Sequence, residues 1–439
     1  MKCDCGIDVL VLDHHIADYE SHYAIVVNNQ LCDYPTKSLS GVGIVYKFCQ
    51  YLDTLFGDNK ADEFLDLVAV GLTGDMMDQR DAETHYLTQI GLQRLRNPFI
   101  AGMADKNSYS IGDTISPYRV AFYIVPLINS ITRVGTMEEK QLLFDSMLDW
   151  KAYNLIPSTK RGAAKGSKET ILAQALRVAT NVKNRQTTSQ EASLAAIQQL
   201  IEENNLLDHK VLIIQLESAK FDRGITGLIA NKLMAIYKRP VGLLVKTEVN
   251  GKIAWSGSAR GYGKSDLTDF RQLCRDSGLV FLAEGHPQAF GLGIYDENIT
   301  QFIQYCDLQL KDLKFEPCYK VDYIFNPSTL KAGDVLEIGN LTPFWGQEID
   351  EALIAIEHVN VTADKLALMK TTLKITLPNG IPCIKFRSNE EEYQSLFSPE
   401  GCVTINIIGT CGINNYFGNK TPQILIEDYE IVDKKDWYF

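Results

Sequence analysis

The stretch GIDVLVLDHH (residues 6–15) is the part of the sequence that decides the fold. Its run IDVLVL is almost continuously apolar and rich in branched side chains, which predicts a buried parallel strand. The strand ends at the polar triplet Asp13, His14 and His15. Imidazole and carboxylate groups at the carboxyl end of such a strand can converge on metal ions beside a crevice. An isolated triplet of this kind also arises by chance on surface loops, so its interpretation depends on the rest of the chain.

Strands and helices alternate on the C-terminal side of this stretch. A second apolar strand is predicted at AIVVNN (residues 24–29), and a helix with a glycine-marked start at LSGVGIVYKFCQYL (residues 39–52). The sequence then runs apolar through FLDLVAVGLTGD as far as Asp75. An amphipathic helix is predicted at THYLTQIGLQRLRN (residues 84–97). This alternation is typical of an α/β sheet domain.

The middle of the chain contains a boundary loop and a long helix. The small, polar and basic stretch STKRGAAKGSKE (residues 158–169) is either a solvated linker or the lining of a channel for a nucleic-acid backbone. Residues 170–204 include neither proline nor glycine, which predicts a connecting helix or a pair of helices.

A second α/β region and a β-rich region follow. A strand is predicted at KVLIIQLES (residues 210–218), a helix at residues 224–240, and a hairpin at residues 241–261 that turns at Asn250-Gly251. Short strands with turn signals dominate beyond residue 317, which predicts a small β-barrel.

Composition limits the kind of protein. With 439 residues the chain has room for about three domains, and its 45% hydrophobic and 22% charged residues are typical of globular domains. No apolar run approaches the length needed to cross a bilayer, and the ten cysteines are scattered without a CxxC pair. We therefore expect a cytoplasmic protein with reduced thiols. The net charge of −12 argues against a protein that coats nucleic acid through bulk electrostatics, so DNA binding would need local basic grooves and metal ions.

The ordered motifs resemble those of the RecJ-type single-stranded-DNA-specific exonucleases of the DHH phosphoesterase superfamily. The resemblance covers nearly the whole chain and begins at GIDVLVLDHH, which is similar to the motif that names the superfamily. The family's glycine-bearing helix start is matched by LSGVGIVYKFCQYL, and its fourth motif, with a metal-binding aspartate, by VAVGLTGDMMD. A short segment that pairs an asparagine with an arginine is matched by VPLINSITRVG.

The later motifs of the family are matched in the same order. Its DHHA1 domain, which helps to grip nucleic acid, is resembled by FDRGITGLIANKL, GSARG and EGHPQAFGLGI. The closing strands of its OB-fold are similar to GINNYFGNKTPQILIEDYEI. The resemblance implies an α/β fold with a partial DHH parallel-sheet domain, a linker with a connecting helix, a DHHA1 α/β domain and an OB-fold β-barrel. The corresponding residues are 1–157, 158–206, 207–312 and 318–436.

The resemblance implies a catalytic metal site that holds Mn²⁺ or Mg²⁺. It places His14 and Asp75 among the metal ligands and makes Asp13 and His15 catalytic neighbours that orient or support them. Phosphodiester hydrolysis at neutral pH needs a water of lowered pKa and cations that neutralise the phosphate, which fits this role. From the residues alone, a helix-terminal cap or a solvated acid is the preferred interpretation of Asp75, and Asp78 could be mistaken for it.

The resemblance also implies contacts to single-stranded DNA. Arg260 and His286 are the expected phosphate contacts, and Gly285 lets the backbone approach the ligand. From the residues alone, the glycines make tight turns and Arg260 is an exposed hairpin charge. Glu284 stands where the family carries a second glycine, so it either weakens phosphate binding or pairs with Arg260.

Further DNA contacts are implied in two other segments. Asn129 and Arg133 would lie near the substrate path, with a helix cap and a surface ion pair as the alternative. Tyr416 and Phe417 offer rings on which bases could stack, as do Phe344 and Trp345. Aromatic residues in a small barrel are also often part of its core.

One part of the family pattern is missing from the sequence. The family places two further aspartate motifs upstream of its DHH triplet, and neither Asp4 nor Asp8 matches them. We therefore expect weak metal affinity in this chain alone and an uncovered sheet edge. Three explanations stay open: a separate polypeptide that supplies the missing motifs, a truncated inactive product, or a DNA-binding remnant. The first two are favoured.

The resemblance implies a 5′-to-3′ exonuclease of single-stranded DNA that acts in recombination and repair. Two other functions remain open. One is a DHH phosphodiesterase for short oligonucleotides or cyclic dinucleotides, which would not usually need the C-terminal barrel. The other is a single-strand-binding protein that has lost its metals and no longer cleaves.

Overall fold

The protein is described from a computed structural model. The structure describes residues 6–15, 21–111, 115–217, 225–315, 318–416 and 419–436. The chain forms two compact units. The first comprises residues 1–126, 142–176 and 320–439, and the second comprises residues 127–141 and 177–319.

The N-terminal region pairs a small parallel sheet with a set of helices. Strands β1 (Leu10–Asp13) and β2 (Ile25–Asn28) are parallel, with Asp13 opposite Asn28. The helices are α1 (Gly41–Phe56), α2 (Leu65–Gly74), α3 (Ala82–Leu92), α4 (Pro98–Lys106), α5 (Ser108–Ile111), α6 (Pro117–Tyr123), α7 (Val125–Val134), α8 (Met137–Ser146) and α9 (Asp149–Ala152).

The prediction that the first strand is buried is wrong. Leu10 is 46% exposed, and Ile25 on the neighbouring strand is 66% exposed. A parallel strand is buried only when other strands flank it and both faces of the sheet are covered. Among the described residues this sheet has two strands, and only Leu12 of β1 packs against a core cluster, which includes Leu39 and Ile44.

A half-buried ion pair joins three segments of this region. Lys47 of α1 lies 3.0 Å from Glu83 of α3, and the Tyr34 hydroxyl donates to the same carboxylate at 2.9 Å. Burial raises the pKa of Glu83, but hydrogen bonds from Lys47, Thr36 and Tyr34 outweigh it, so the pKa lies below its ordinary value. The carboxylate therefore stays ionised and holds these segments together.

Most of the stretch predicted as a boundary loop is the loop between two short strands, and the predicted connecting helix or pair of helices is a single helix. Strands β3 (Leu155–Pro157) and β4 (Lys168–Thr170) are antiparallel, and α10 (Ile171–Glu203) follows directly. Its 33 residues are one uninterrupted helix. No helix among the described residues combines the length and the apolarity needed to cross a bilayer.

The second unit is built around a five-stranded sheet. Its strands are β5 (Leu212–Leu216), β6 (Val241–Val249), β7 (Lys252–Arg260), β8 (Val280–His286) and β9 (Ala289–Tyr295), in the order β5-β6-β7-β9-β8. The helices are α11 (Thr226–Tyr237), α12 (Phe270–Asp276) and α13 (Ile299–Gln309). The predicted turn at Asn250-Gly251 is confirmed, because both residues have the positive φ angles that a tight hairpin turn requires.

The C-terminal region is mostly β, as predicted. It contains β10 (Tyr323–Phe325), α14 (Ala332–Gly339), β11 (Leu353–Val361), β12 (Leu366–Met369), β13 (Thr372–Thr376), β14 (Pro382–Phe386), α15 (Glu390–Leu396), β15 (Gly401–Tyr416) and β16 (Asn419–Asp436). The strands form one sheet in the order β10-β11-β15-β16-β14-β13-β12. Alternate residues Val403, Ile405 and Ile407 of β15 are fully buried in its core, which is the pattern of a strand with one face inward.

A C-terminal segment, residues 341–349, packs against the N-terminal region within the first unit. The amide of Gln79 donates to the Gln347 carbonyl at 2.9 Å, and the Gln89 side chain donates to the Pro343 carbonyl at 2.7 Å. The ring of Phe344 stacks on His85 with centroids 6.4 Å apart. These contacts hold the segment on α3 and on the loop that follows Asp75.

Candidate functional site

The structure brings His14 and Asp75 together, although they come from different elements. His14 directly follows β1, and Asp75 is the residue at which α2 ends, with its amide bonded to the Gly71 carbonyl at 3.0 Å. The His14 Nε2 atom lies 3.1 Å from Asp75 Oδ2. The histidine is 13% exposed and the aspartate 49% exposed, so the pair has a buried side and an accessible side.

Asp13 and His15 form a second pair beside the first. The His15 Nδ1 atom lies 2.8 Å from Asp13 Oδ1, and this hydrogen bond lowers the pKa of Asp13 and keeps it ionised. The side chain of Asn28, opposite Asp13 on β2, donates to the His15 carbonyl at 2.8 Å. The polar triplet is therefore held by the neighbouring strand as well as by its own hydrogen bonds.

The structure separates Asp75 from its competitor Asp78. The Asp78 carboxylate accepts from the guanidinium of Arg80, with its closest oxygen at 2.6 Å. This hydrogen bond lowers the pKa of Asp78. Asp78 is therefore committed to an arginine, whereas Asp75 faces an imidazole nitrogen.

The donor atoms fit a divalent cation. Ligand atoms of Asp13, His14 and His15 all lie within 4.8 Å of one another. Neighbouring ligands of an octahedral ion with bonds of about 2.1 Å lie roughly 3 Å apart, which matches the contact between His14 and Asp75. Imidazole with carboxylate is a set that manganese accepts and magnesium tolerates. Among the described residues this group contains one carboxylate, that of Asp13, and Asp75 adds a second through its contact with His14, so the negative charge is low for two cations.

The start of α1 completes the surroundings of this group. A Cβ atom at Gly41 would lie 3.8 Å from the His14 ring, so the first turn of the helix touches the histidine. The preceding residue, Ser40, is 2% exposed, and its hydroxyl has no hydrogen-bond partner within the described segments. The glycine-marked helix start predicted from the sequence therefore lies against the polar triplet.

In the second unit, Arg260 and His286 occupy one row of the sheet. Both are paired with Ala289 of β9, Arg260 from β7 and His286 from β8. Directly opposed residues of antiparallel strands share a face, and two strand spacings separate these residues by about 10 Å. The structure thus brings together two of the residues predicted to contact phosphate.

Gly285 has a backbone that other residues rarely adopt. Its φ angle is +133°, and a Cβ atom there would lie 2.9 Å from the Ala289 carbonyl oxygen and from the Phe290 Cα atom. The glycine is required for the close approach of β8 to β9. Its neighbour Glu284 is exposed and forms no ion pair with Arg260 in the described structure, so the pairing considered from the sequence is absent.

Two hydroxyl groups that the sequence reasoning missed lie near Gly227, as does the Arg260 guanidinium. The Ser258 hydroxyl lies 3.1 Å from the Thr226 hydroxyl, and a Cβ atom at Gly227 would lie 2.7 Å from the Arg260 guanidinium. A side chain at residue 227 would therefore displace the arginine. Ser258 and Arg260 are two residues apart on one strand and so share a face, which the motif GSARG could have revealed.

Asn129 and Arg133 lie one turn apart on α7, and so on one side of it. The exposed Arg133 acts on Arg260 electrostatically: burial lowers the pKa of the Arg260 guanidinium, and the positive charge of Arg133 lowers it further. Neither arginine has an acidic partner among the described residues, which does not support the alternative of a surface ion pair for Arg133.

The aromatic candidates of the C-terminal region have different outcomes. Tyr416 is the last residue of β15, and its side chain is not described. Phe417 lies outside the described residues. Two other features used in the sequence analysis, Asp4 and the FDRG stretch at residues 221–224, also lie outside them. Phe344 and Trp345 belong to the segment packed on α3, where Phe344 stacks on a histidine. Their position indicates a packing role, although half of the Phe344 side chain remains exposed.

Comparison with known proteins identifies the family. The chain is 35% identical over 436 residues to the SPbeta prophage-derived single-strand DNA-specific exonuclease YorK of Bacillus subtilis (strain 168). The aligned region covers 98% of this chain and 75% of YorK. The chain belongs to the RecJ-type exonuclease family. It is also 27% identical to the single-stranded-DNA-specific exonuclease RecJ of the same organism, with 99% of this chain and 53% of RecJ covered.

Two further comparisons concern the fold of this RecJ family member. Residues 321–428 match the RecJ OB domain. RecJ from Thermus thermophilus, solved in complex with Mn²⁺, superimposes with a TM-score of 0.72 at 18% identity, over 99% of this chain and 59% of that one. The predicted α/β fold with DHH and DHHA1 parts and a C-terminal OB domain is confirmed. The chain spans between 53% and 75% of the length of the two Bacillus subtilis relatives.

Proposed function

We propose that this chain hydrolyses phosphodiester bonds of single-stranded DNA from the 5′ end, with Mn²⁺ or Mg²⁺, in recombination and repair. The observation that carries the proposal is the approach of His14 and Asp75 to 3.1 Å beside the Asp13 and His15 pair, in a chain of the RecJ family. The protein would act in the cytoplasm, which the eight free cysteines of the described residues support. The four domain segments assigned from the sequence form part of the proposal.

His14 and Asp75 would hold a cation, with Asp13 and His15 as supporting groups. A bound cation lowers the pKa of water and neutralises charge on the scissile phosphate. The partly exposed Asp75 offers its carboxylate to solvent, and the mostly buried His14 presents Nε2 to it, with the start of α1 close to the histidine ring. His15 is oriented by the Asn28 bond to its carbonyl and by Asp13.

Phosphate contacts are assigned to the row of Arg260 and His286. Arg260 offers a fork of donors that suits a phosphate, and the hydroxyl of Ser258 lies on the same face. Arg133 adds a second positive charge, with Asn129 on the same side of its helix. Tyr416 and Phe417 are proposed as surfaces for base stacking.

Full activity is proposed to need a separate polypeptide that completes the metal site. The first sheet leaves apolar side chains of both strands exposed, including Leu10 and Ile25, and the site has two carboxylates. A polypeptide that adds a strand to this sheet would cover the exposed apolar side chains. If it also brought carboxylates to the carboxyl end of the sheet, it would supply the missing metal ligands. Without it, we expect weak metal binding and slow cleavage.

The test is manganese-dependent digestion of a 5′-labelled single strand by the 439-residue chain, alone and mixed with a polypeptide that carries the missing aspartate motifs. We expect the mixture to release nucleotides from the 5′ end, and His14→Ala to abolish the release. Asp78→Asn serves as the matched control, because its carboxylate is bound to Arg80, and it should retain activity. Digestion that survives His14→Ala would contradict the proposal.

A second function, single-strand binding without cleavage, is favoured by one observation, the low number of carboxylates at the metal group. It predicts retention of DNA in the presence of a chelator and no cleavage under any condition of the same experiment. Cleavage of dinucleotides but not of long strands would instead indicate a phosphodiesterase for short substrates.

A further inference from the structure

The helix that ends at Asp75 closes with an unusual backbone. The amide of Met77 donates to the Leu72 carbonyl at 3.0 Å, and the amide of Met76 donates to the Thr73 carbonyl at 3.3 Å. These two hydrogen bonds form a Schellman motif, which needs a left-handed residue directly after the cap. Met76 takes that position with a φ angle of +55°, although glycine adopts it without strain. Such strain persists only where surrounding contacts hold the backbone, and here it lies next to a proposed metal ligand.

The loop that follows this helix end is held by the segment of residues 341–349. The amide of Gln79 donates to the Gln347 carbonyl at 2.9 Å. That carbonyl belongs to a closed turn, because Gly346 and Ile349 exchange two backbone hydrogen bonds, of 2.9 and 3.0 Å. The loop and the turn both belong to the first unit. The acceptor for Gln79 is therefore part of a fixed backbone.

The side chain of Gln79 connects this turn back to the helix end. It is 3% exposed, and its Nε2 atom donates to the Met77 carbonyl at 3.2 Å. Met77 in turn packs against the core cluster of this region. The other side of the glutamine is occupied by the turn, since a Cβ atom at Gly346 would lie 2.7 Å from Gln79 Cγ. Gln79 is thus enclosed between the turn and the loop that follows Asp75.

We propose that Gln79 is a positioning residue for the metal ligand Asp75, and that the segment of residues 341–349 holds Gln79 in place. This inference rests on the proposed function and deepens it, because it assigns support of the metal site to residues outside the metal group. Residues that orient a metal ligand change metal affinity about 10–100-fold when they are replaced. A second contact between the same loop and segment, between Arg80 and Glu348 at 3.6 Å, is exposed and contributes little, because surface ion pairs are weak.

Gly346→Ala tests this support, because the new Cβ atom would meet Gln79 while the backbone of residue 346 has no positive φ angle. Binding of Mn²⁺ to the 439-residue chain is measured from the paramagnetic broadening of the His14 signals. Hydrogen exchange of the Met77 amide is measured separately in chelator. We expect Gly346→Ala to weaken Mn²⁺ binding about tenfold and to accelerate this exchange. Gly333→Ala is the matched control, since a Cβ atom there meets nothing within 4 Å, and it should change neither quantity.

A double variant shows whether the effect of residue 346 passes through Gln79. Gln79→Ala alone should weaken Mn²⁺ binding about fivefold, the factor expected from one net hydrogen bond. Adding Gly346→Ala should weaken it no further, because the Cγ atom that the new methyl group would meet is gone. Effects of the two substitutions that add in full would overturn the inference.

Two other results would also overturn it. The first is a Mn²⁺ affinity that is unchanged in Gly346→Ala while the melting temperature falls, which would show a purely structural role. This result leaves the proposed function intact. The second is the absence of any Mn²⁺ effect on His14 in the wild type, which would overturn the proposed metal site together with the inference.

Discussion

Replacing Gly285 by alanine should open the sheet edge that carries His286. The φ angle of +133° lies in a region that L-residues rarely adopt, which costs about 1–3 kcal/mol. The new Cβ atom would also lie 2.9 Å from two backbone atoms of β9, which cannot move as a flexible side chain can, at a further cost of about 1–3 kcal/mol. We therefore expect a local loss of about 4 kcal/mol between β8 and β9.

Two other glycines of the same unit separate these two costs. Gly278 has a φ angle of +65° with nothing within 4 Å of an added Cβ, so Gly278→Ala should cost about 1 kcal/mol from strain alone. Gly263 has neither an unusual φ nor a neighbour within 4 Å, so Gly263→Ala should change stability by less than about 0.5 kcal/mol, or raise it slightly.

Amide hydrogen exchange of β8 and β9 measures these stability differences at the strand pair itself. Unfolding of the whole chain, which has two units, would not resolve them. A loss of about 4 kcal/mol corresponds to exchange roughly a thousandfold faster, since about 1.4 kcal/mol is a factor of ten. Binding of single-stranded DNA should weaken in parallel, because His286 follows Gly285 directly. Equal protection in Gly285→Ala and Gly263→Ala would refute the reasoning.

Three other predictions concern the first unit and the phosphate row. Glu83→Gln should lower the free energy of unfolding at neutral pH by about 1–2 kcal/mol, since it removes a charged hydrogen bond to Lys47. Folding depresses the pKa of Glu83, so the difference between variant and wild type should disappear as the pH falls below the ordinary glutamate range. Thermal melts at several pH values measure this difference. Phe344→Ala should destabilise the packing of residues 341–349 on α3 by about 1–2 kcal/mol, which is less than the cost of removing a fully buried ring. Faster amide hydrogen exchange in α3 would show this loss. Arg260→Ala should weaken strand binding and reduce its salt slope by about 0.7, whereas the same slope as wild type would remove Arg260 from the phosphate contacts.

Much of the fold could be predicted from local signals. The Asn250-Gly251 turn is encoded by two neighbouring residues, and the uninterrupted α10 follows from the absence of proline and glycine. The pairing of His14 with Asp75 was anticipated because the family resemblance relates segments that are distant in sequence. Periodicity alone could not have linked them.

Other features depend on contacts that no local pattern records. The exposure of Leu10 depends on how many strands flank β1, which the apolar run itself does not reveal. The commitment of Asp78 to Arg80 distinguishes two acids that look alike in the sequence.

The claim that His14 and Asp75 form a metal site is tested most directly by titration of the chain with Mn²⁺ under NMR observation of the histidine rings. Paramagnetic broadening detects even weak binding, so the measurement does not need the completing polypeptide. The account predicts that the His14 and His15 signals broaden before those of the other histidines, and that Asp75→Asn abolishes this order while Asp78→Asn preserves it. Broadening that begins at His85 or His209, or that is unaffected by Asp75→Asn, would contradict the account.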